Sequence, residues 1–177
     1  MDALRKEEIY TTDDIYALPD GERAELIDGQ IYYMAPPGRT HQGLSVFLSS
    51  AILEYIREKQ GGCEVYPAPF AVFIYDDDLN YVEPDISVIC DTSKLDEKGC
   101  HGAPDWVIEI VSPSSRSMDY FTKLFKYRTA GVREYWVVDP QRKTVTVYQF
   151  EQDQMMEYAF GESVPVGIYE DFSITIP

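Results

Sequence analysis

The chain has no hydrophobic run long enough to cross a membrane and no cysteine pattern typical of a metal site. None of its apolar stretches approaches the roughly 18 residues that a membrane-spanning helix requires. The three cysteines, Cys63, Cys90 and Cys100, are odd in number and lack C-x-x-C spacing. We therefore expect free thiols in a reducing compartment, with neither a disulfide framework nor a zinc site.

Targeting segments, internal repeats and linkers are also missing. The opening residues, MDALRKEEIYTTDD, contain no apolar core of signal-peptide length, so we expect a cytoplasmic, soluble protein with no membrane partner. The chain has 177 residues, of which 45% are hydrophobic, and this is enough for one domain with a sizeable core. We expect a single domain over 1–177, with its core at about 11–150 and short C-terminal β-strands over 143–177.

Basic residues are scarce. The chain has 15 Lys and Arg against 31 Asp and Glu, and its net charge is −16. This charge opposes nucleic-acid binding, which depends on Lys and Arg contacts to phosphate. Residues 116–143 are the exception, because seven basic and three acidic side chains give them +4 and leave −20 for the remainder. Composition alone also permits an acidic protein whose charges are simply solvated.

The order of predicted elements indicates an α/β domain. A cap sequence TTDD precedes a short helix, Asp28-Gly29 joins two strands of a hairpin, and an apolar stripe at helical spacing predicts a long helix from about His41 to Lys59. A later helix, SMDYFTKLFKYRTAGV, ends at Gly131 as its C-cap. We predict a mixed central β-sheet flanked by helices, and the strands expected in its middle are 86–90, 106–111 and 135–138.

A glutamate lies in the middle of one of these strands. In WVIEIV, which begins at Trp106, alternation places Glu109 on the same face as Val107 and Val111. An unpaired, ionised carboxylate among valines is expensive to desolvate. Glu109 therefore requires a cation, a proton or a hydrogen-bond donor nearby.

A second carboxylate, Asp85, begins the apolar strand in EPDISVIC. If this strand neighbours the strand of Glu109, two carboxylates converge and need a shared proton or a metal ion. Hard oxygen ligands suit Mg²⁺ or Mn²⁺. Alternatively, Pro84-Asp85 is only a turn dipeptide that leads into the strand.

The third candidate is Lys123, whose direction the periodicity leaves open. Tyr120, Lys123 and Tyr127 share an apolar stripe that would turn the lysine inward. The competing stripe, which includes Phe121, would turn it outward into an exposed i, i+4 pair with Asp119. In the first case, two acids and a lysine form a phosphodiesterase set, in which the acids hold a metal ion and the lysine stabilises the phosphate.

These residues carry a resemblance to a known family. PD followed 24 residues later by E-x-V resembles the PD-(D/E)XK nuclease superfamily. A larger set of strings is similar to the Uma-two family of bacterial restriction endonucleases, over about residues 11–150. The strings are ELIDG, the His41-Gln42 helix start, YPAPFAV, PD, GAPDWVIEIVSPSS, KLFKY and AGVREYWVVDP.

The resemblance implies a restriction-endonuclease-like fold and a magnesium- or manganese-dependent endonuclease acting on DNA. It implies that Asp85 and Glu109 bind the metal and that Glu25, in ELIDG, is a further catalytic acid. The third residue of the (D/E)XK triplet falls at position 111, which is valine here. The resemblance instead places the catalytic lysine on the following helix, at Lys123.

Several further expectations complete the sequence-based account. His41, at a helix start, either assists phosphate or proton transfer or is structural. DNA contacts are expected from the basic segment, chiefly Arg116, Lys126 and Arg128. A homodimer is expected by analogy with nucleases that cut both strands. The rival hypotheses are a non-catalytic interaction protein that keeps the fold and a purely structural ion pair of Glu109 with Lys123.

Three serines near the end of the Glu109 strand do not suggest a nucleophile. No histidine lies at a compelling spacing from them, so we interpret them as turn and cap residues. They are Ser112, Ser114 and Ser115.

Overall fold

The computed structural model describes residues 8–177. Residues 1–7, which belong to the N-terminal segment considered for a signal peptide, lie outside the described residues. Over 8–177, no helix is both long and apolar enough to span a bilayer. The elements in chain order are α1 (Thr12–Tyr16), β1 (Ala24–Ile27), β2 (Gln30–Tyr33), α2 (Arg39–Glu58), β3 (Glu64–Pro67), β4 (Val72–Phe73), β5 (Ile86–Ile89), a 3-10 turn (Thr92–Lys94), β6 (Leu95–Asp96), β7 (Gly99–His101), β8 (Trp106–Ile110), a π-helical turn (Met118–Lys123), α3 (Leu124–Ala130), β9 (Glu134–Asp139), β10 (Thr144–Gln149), β11 (Gln154–Ala159), β12 (Ser163–Pro165) and β13 (Ser173–Thr175).

A six-stranded mixed sheet forms the centre of the fold. Its strand order is β11-β10-β9-β8-β5-β3, in which β8 and β9 run parallel and every other neighbouring pair is antiparallel. The three strands predicted for the middle are β5, β8 and β9, and they are adjacent and buried along their whole length. The predicted mixed α/β class is confirmed, since both faces of the central strands are covered and their sequences are accordingly apolar.

Each face of β8 packs against a different helix. Trp106, Ile108 and Ile110 contact the buried stripe of α2, whereas Val107 and Val111 lie in the cluster that contains Tyr127 of α3. The alternation expected for this strand is therefore correct. It places Glu109 under the π-helical turn and α3.

The β1–β2 hairpin lies next to the segment that leads into β5. Asp28 and Gly29 both have positive φ, 51° and 75°, as a tight hairpin turn requires, so the predicted hairpin is confirmed. Leu26 and Tyr81 exchange backbone hydrogen bonds of 2.7 and 2.8 Å. These bonds bring Glu25, the neighbour of Leu26, towards the start of β5.

The prediction of three free thiols is wrong. Cys63 and Cys90 form a disulfide, and Cys100 is free and buried. β3 and β5 are antiparallel, with Glu64 opposite Ile89. Extending this register by one position places Cys63 opposite Cys90. The register of two strands cannot be obtained from cysteine spacing. The disulfide also removes the thiol-based argument for a reducing compartment.

Candidate active site

Glu109 is held by a buried lysine and a buried tyrosine. Its Oε1 accepts hydrogen bonds from Lys123 Nζ at 2.9 Å and from Tyr127 Oη at 2.7 Å, and the residue is 3% exposed. Lys123 and Tyr127 are therefore the partners that the sequence requires for Glu109. The carboxylate among valines has both a cation and a hydrogen-bond donor.

The structure decides the direction of Lys123. The lysine is 4% exposed, whereas Phe121 and Phe125 of the competing stripe are 72% and 66% exposed. Lys123 ends a π-helical turn, in which hydrogen bonds run from i to i+5 and side chains follow a different angular spacing from that of an α-helix. The α-helical period of 3.6 residues does not hold in this turn, so it cannot separate the two stripes.

Lys123 also binds the acid of the hairpin. Its Nζ lies 2.8 Å from the carboxylate of Glu25, and Glu25 Oε1 in turn accepts the Glu83 N–H at 3.0 Å. A third carboxylate, Asp119, lies 3.9 Å from Nζ and is buried. The alternative of an exposed Asp119–Lys123 pair, which the periodicity left open, is thus wrong, because both side chains lie inside the fold.

Asp85 lies on the other side of Glu109, at the start of β5. Its Oδ2 accepts the Ile110 N–H at 2.7 Å and lies 3.0 Å from His41 Nε2. The Asp85 N–H lies 3.4 Å from Glu109 Oε2. Asp85 is therefore a site residue whose carboxylate is fixed from two sides, and Pro84-Asp85 is more than a turn dipeptide.

Four carboxylates and one lysine make this region strongly acidic. Burial raises the pKa of Glu109 well above its usual value, Lys123 opposes that shift, and Asp85, Asp119 and Glu25 reinforce it. Burial likewise raises the pKa of Asp119 to about 6. The site thus holds more negative charge than its lysine neutralises, and it favours uptake of protons or of another cation.

The surroundings of the two basic groups of the site favour their charged forms. Burial opposes the ammonium form of Lys123, but Glu109, Glu25 and Asp119 outweigh it and raise the pKa of the lysine. Burial also opposes the imidazolium of His41, and the hydrogen bond to Asp85 and its charge more than compensate, so the pKa of His41 is raised. Both groups therefore stabilise the carboxylates in their ionised forms.

The acids open onto a cleft of about 770 Å³. It lies between the β2–α2 connection, the start of α2 and the end of β8. Its lining includes Asp85, Glu109 and Lys123. Such a cleft can admit an extended polar ligand to the carboxylates.

Comparison with known proteins identifies the family. A profile of the Uma2 family, described as "Putative restriction endonuclease", matches residues 12–176. This chain belongs to the Uma2 family. The resemblance seen in the sequence strings is therefore confirmed.

Two relatives of this Uma2 protein extend the comparison. An uncharacterized protein of Synechocystis sp. (strain PCC 6803) is 29% identical over 133 residues, which cover 75% of this chain and 68% of the relative. A crystal structure of "a putative nuclease belonging to DUF820" from Anabaena variabilis ATCC 29413 superposes with a TM-score of 0.72 at 26% identity, over 89% of each chain. Family and neighbour together support a nuclease and confirm the predicted fold class.

The chemistry of the donors fits a hard divalent cation. Within residues 8–177, no three acidic, imidazole or thiol side chains are arranged to enclose an ion by themselves. Asp85 and Glu109 instead form a pair, which matches the preference of Mg²⁺ for one or two carboxylates together with water and substrate phosphate. The excess of negative charge in the site also favours the binding of a cation.

The cations predicted to contact DNA do not line this cleft. Arg116 is bound to the buried carboxylate of Asp139 at 2.7 Å, and Lys126 pairs with Asp28. Arg128 pairs with an exposed aspartate of the β10–β11 turn. All three have an acidic partner and lie outside the cleft lining, so the DNA-binding assignment remains a prediction that the site geometry does not favour.

Two site residues were not predicted from the sequence. The sequence pattern places Tyr127 only in an apolar stripe and Asp119 only in the alternative surface pair with Lys123. Tyr127 could have been suspected, because a tyrosine facing a buried strand usually needs a partner for its hydroxyl. The three serines Ser112, Ser114 and Ser115 bond to one another in a turn, as expected.

Proposed function

We propose that this Uma2 protein is a divalent-metal-dependent endonuclease that hydrolyses DNA phosphodiester bonds. The observation that carries the proposal is the convergence of Asp85, Glu109 and Lys123 at the floor of one cleft. Family membership and the DUF820 nuclease neighbour support the same activity. The proposed cofactor is Mg²⁺ or Mn²⁺, held by Asp85 and Glu109.

When bound, the metal ion would supply positive charge to the phosphate and lower the pKa of the attacking water. The residues of this chain orient and neutralise the site. Ile110 N–H and His41 fix Oδ2 of Asp85, while Tyr127 fixes Oε1 of Glu109. Preorganised donors and ligands of this kind need no rearrangement as the reaction proceeds.

Lys123 provides the cation of the catalytic set. Its Nζ lies between Glu25 and Glu109, so Glu25 aims the ammonium at the cleft and keeps it protonated. An ammonium so placed stabilises negative charge that develops on the phosphate in the transition state. In this proposal Glu25 acts through Lys123, and His41 acts through Asp85.

A non-catalytic interaction protein is the rival function. One observation favours it: Lys123 is already bonded to two carboxylates, as a purely structural ion pair would be. The two hypotheses differ in what they require of Asp85, which lies outside that ion pair. Only the nuclease needs the Asp85 carboxylate for its function.

Cleavage assays on supercoiled and linear DNA test the proposal. Wild type should nick or cut DNA with Mg²⁺ or Mn²⁺ and lose the activity in EDTA. Asp85→Asn, Glu109→Gln and Lys123→Met should each reduce the rate by at least about 100-fold, the scale of one lost preorganised group. Lys98→Met, at an exposed position outside the cleft lining, is the matched control. Folded wild type that cuts no DNA with either metal would favour the interaction protein.

We also propose a homodimer, because cutting both strands requires two sites. A candidate surface is an apolar hollow of about 270 Å³ beside α3, whose lining includes Phe121 and Phe125. Sedimentation velocity should give a dimer for wild type and a monomer for Phe125→Ser. A wild-type monomer at all concentrations would contradict the assignment.

A further inference from the structure

Among residues 8–177, one Lys or Arg side chain of the cleft has no acidic partner. Three such side chains line the cleft, namely Arg23, Arg39 and Lys123, and the histidine of the cleft, His41, is bonded to Asp85. Arg23 Nε donates to Glu83 at 2.8 Å, and Lys123 is engaged by the buried glutamates. Arg39 is exposed, and no ion pair of the described part of the chain includes it.

Arg39 is the first residue of α2, a 20-residue helix whose N-terminus is uncapped. Gly38 at the N-cap offers no side chain, and the first turn carries no acid. The first intrahelical bond runs from Gln42 N–H to Gly38 O at 3.0 Å. The N–H groups of Arg39, Thr40 and His41 have no such bond, and they carry the positive end of the helix dipole.

A second and independent feature indicates a ligand at this place. Ser45 lies one turn after His41, lines the same cleft, and is 8% exposed as a whole residue. No residue between 8 and 177 forms a hydrogen bond with its hydroxyl. A hydroxyl that lines the cleft on a largely buried residue, with no protein partner, is available to a polar ligand.

We propose that the first turn of α2 is a binding site for a backbone phosphate of the nucleic acid strand that enters the cleft. Arg39, Thr40 and the free N–H groups bind the phosphate, and Ser45 donates to the adjoining part of the strand. The inference rests on the proposed nuclease function and deepens it, because it locates the backbone contacts. It also explains how a chain of net charge −16 can hold a polyanion.

The first turn of α2 lies close to the carboxylates, so one nucleic acid strand can contact both. His41 belongs to the first turn of α2, and its Nε2 lies 3.0 Å from Asp85 Oδ2. A phosphate on the helix N-terminus is therefore next to the place where the scissile phosphate meets Asp85. A strand bound at α2 would be aligned for cleavage.

The test is equilibrium binding of a fluorescent DNA duplex in EDTA, measured by anisotropy across a salt series. Gly38→Asp is the diagnostic variant, because a Cβ at this position meets no atom within 4 Å and the backbone (φ −78°, ψ 169°) suits an aspartate cap. The new carboxylate would cap the helix and repel phosphate. Arg39→Gln and Ser45→Ala remove the other contacts, and Arg57→Gln, in the last turn of α2, is the matched charge control.

We expect Gly38→Asp and Arg39→Gln each to weaken binding about tenfold and to reduce the salt slope by about one. Gly38→Asp should melt at the same or a higher temperature than wild type, and Ser45→Ala should bind more weakly without losing stability. Wild-type affinity and salt slope in Gly38→Asp would overturn the inference and leave the nuclease proposal intact. Wild type that neither binds nor cuts DNA would reject both.

Discussion

Replacing Lys123 with methionine should destabilise the fold in a pH-dependent way. The ammonium contacts Glu109 at 2.9 Å and Glu25 at 2.8 Å, and all three groups are buried. Removing one partner of a buried ion pair costs about 3–5 kcal/mol, because the remaining charges are uncompensated. For a protein of this size, the loss corresponds to a melting temperature lower by about 6–20 °C.

The pH dependence follows from the direction of the Glu109 shift. Lys123 is the main group that opposes the raised pKa of Glu109, so its loss raises that pKa further. A carboxyl group with a raised folded-state pKa binds more protons folded than unfolded, and stability then falls as pH rises through that window. The deficit of Lys123→Met should therefore grow as pH rises through the titration of the buried carboxyl groups, by up to about 1.4 kcal/mol per pH unit and group, and should shrink at acidic pH.

Urea denaturation of wild type and variant at several pH values measures this effect. Lys98→Met is the control, because Lys98 is exposed and its substitution should change the stability by no more than about 0.5 kcal/mol. Addition of Mn²⁺ should recover part of the lost stability, because a bound cation replaces the missing charge. A Lys123→Met protein as stable as wild type, with a parallel pH profile, would refute the electrostatic account of the site.

Two further predictions concern residues outside the site. Burial raises the pKa of Glu134 to about 7, so wild type should lose roughly 3 kcal/mol of stability as pH rises from 4.5 to 7. Glu134→Gln should flatten that part of the pH profile in urea titrations, unlike the exposed Glu157→Gln, and an unchanged profile would contradict the prediction. In denaturant, alkylation should label only Cys100 before reduction and all three cysteines after it, whereas three labels without reduction would exclude the Cys63–Cys90 disulfide.

The central sheet could be predicted because its signals are local. The strands that contain Trp106 and Tyr135 are apolar runs bounded by turn residues, interrupted in the first case only by Glu109, and such runs are typical of strands buried on both faces. The hairpin was equally predictable, since Asp28-Gly29 specifies its own turn geometry. Glu109 could be predicted as a candidate site residue, because a carboxylate in a buried strand must have a partner.

Several side-chain pairs, in contrast, depend on contacts between distant parts of the chain. Lys126 pairs with Asp28, 98 positions away, and His41 with Asp85, 44 positions away. Pairs of this kind depend on topology, which no local pattern contains. The local sequence around Lys126 does not show that its acidic partner is Asp28 of the hairpin. Lys126 is therefore predicted from the sequence to contact DNA.

Because of the π-helical turn, helical periodicity could not predict the direction of Lys123. This turn interrupts the 3.6-residue period between Met118 and Lys123, so the helical pattern alone could not orient the lysine. Lys123 matched the family position for a catalytic lysine, and the resemblance therefore predicted what periodicity did not. Asp119, in the same turn, had no comparable signal.

Anomalous scattering from Mn²⁺-soaked crystals tests the central claim most directly. The account predicts one strong manganese peak in the cleft, coordinated by carboxylate oxygens of Asp85 and Glu109, and its loss in Asp85→Asn crystals soaked in the same way. Lys123 should remain beside Glu109 without binding the ion. A cleft that stays empty at saturating Mn²⁺, or a peak that persists in Asp85→Asn, would contradict a metal site built on these two carboxylates.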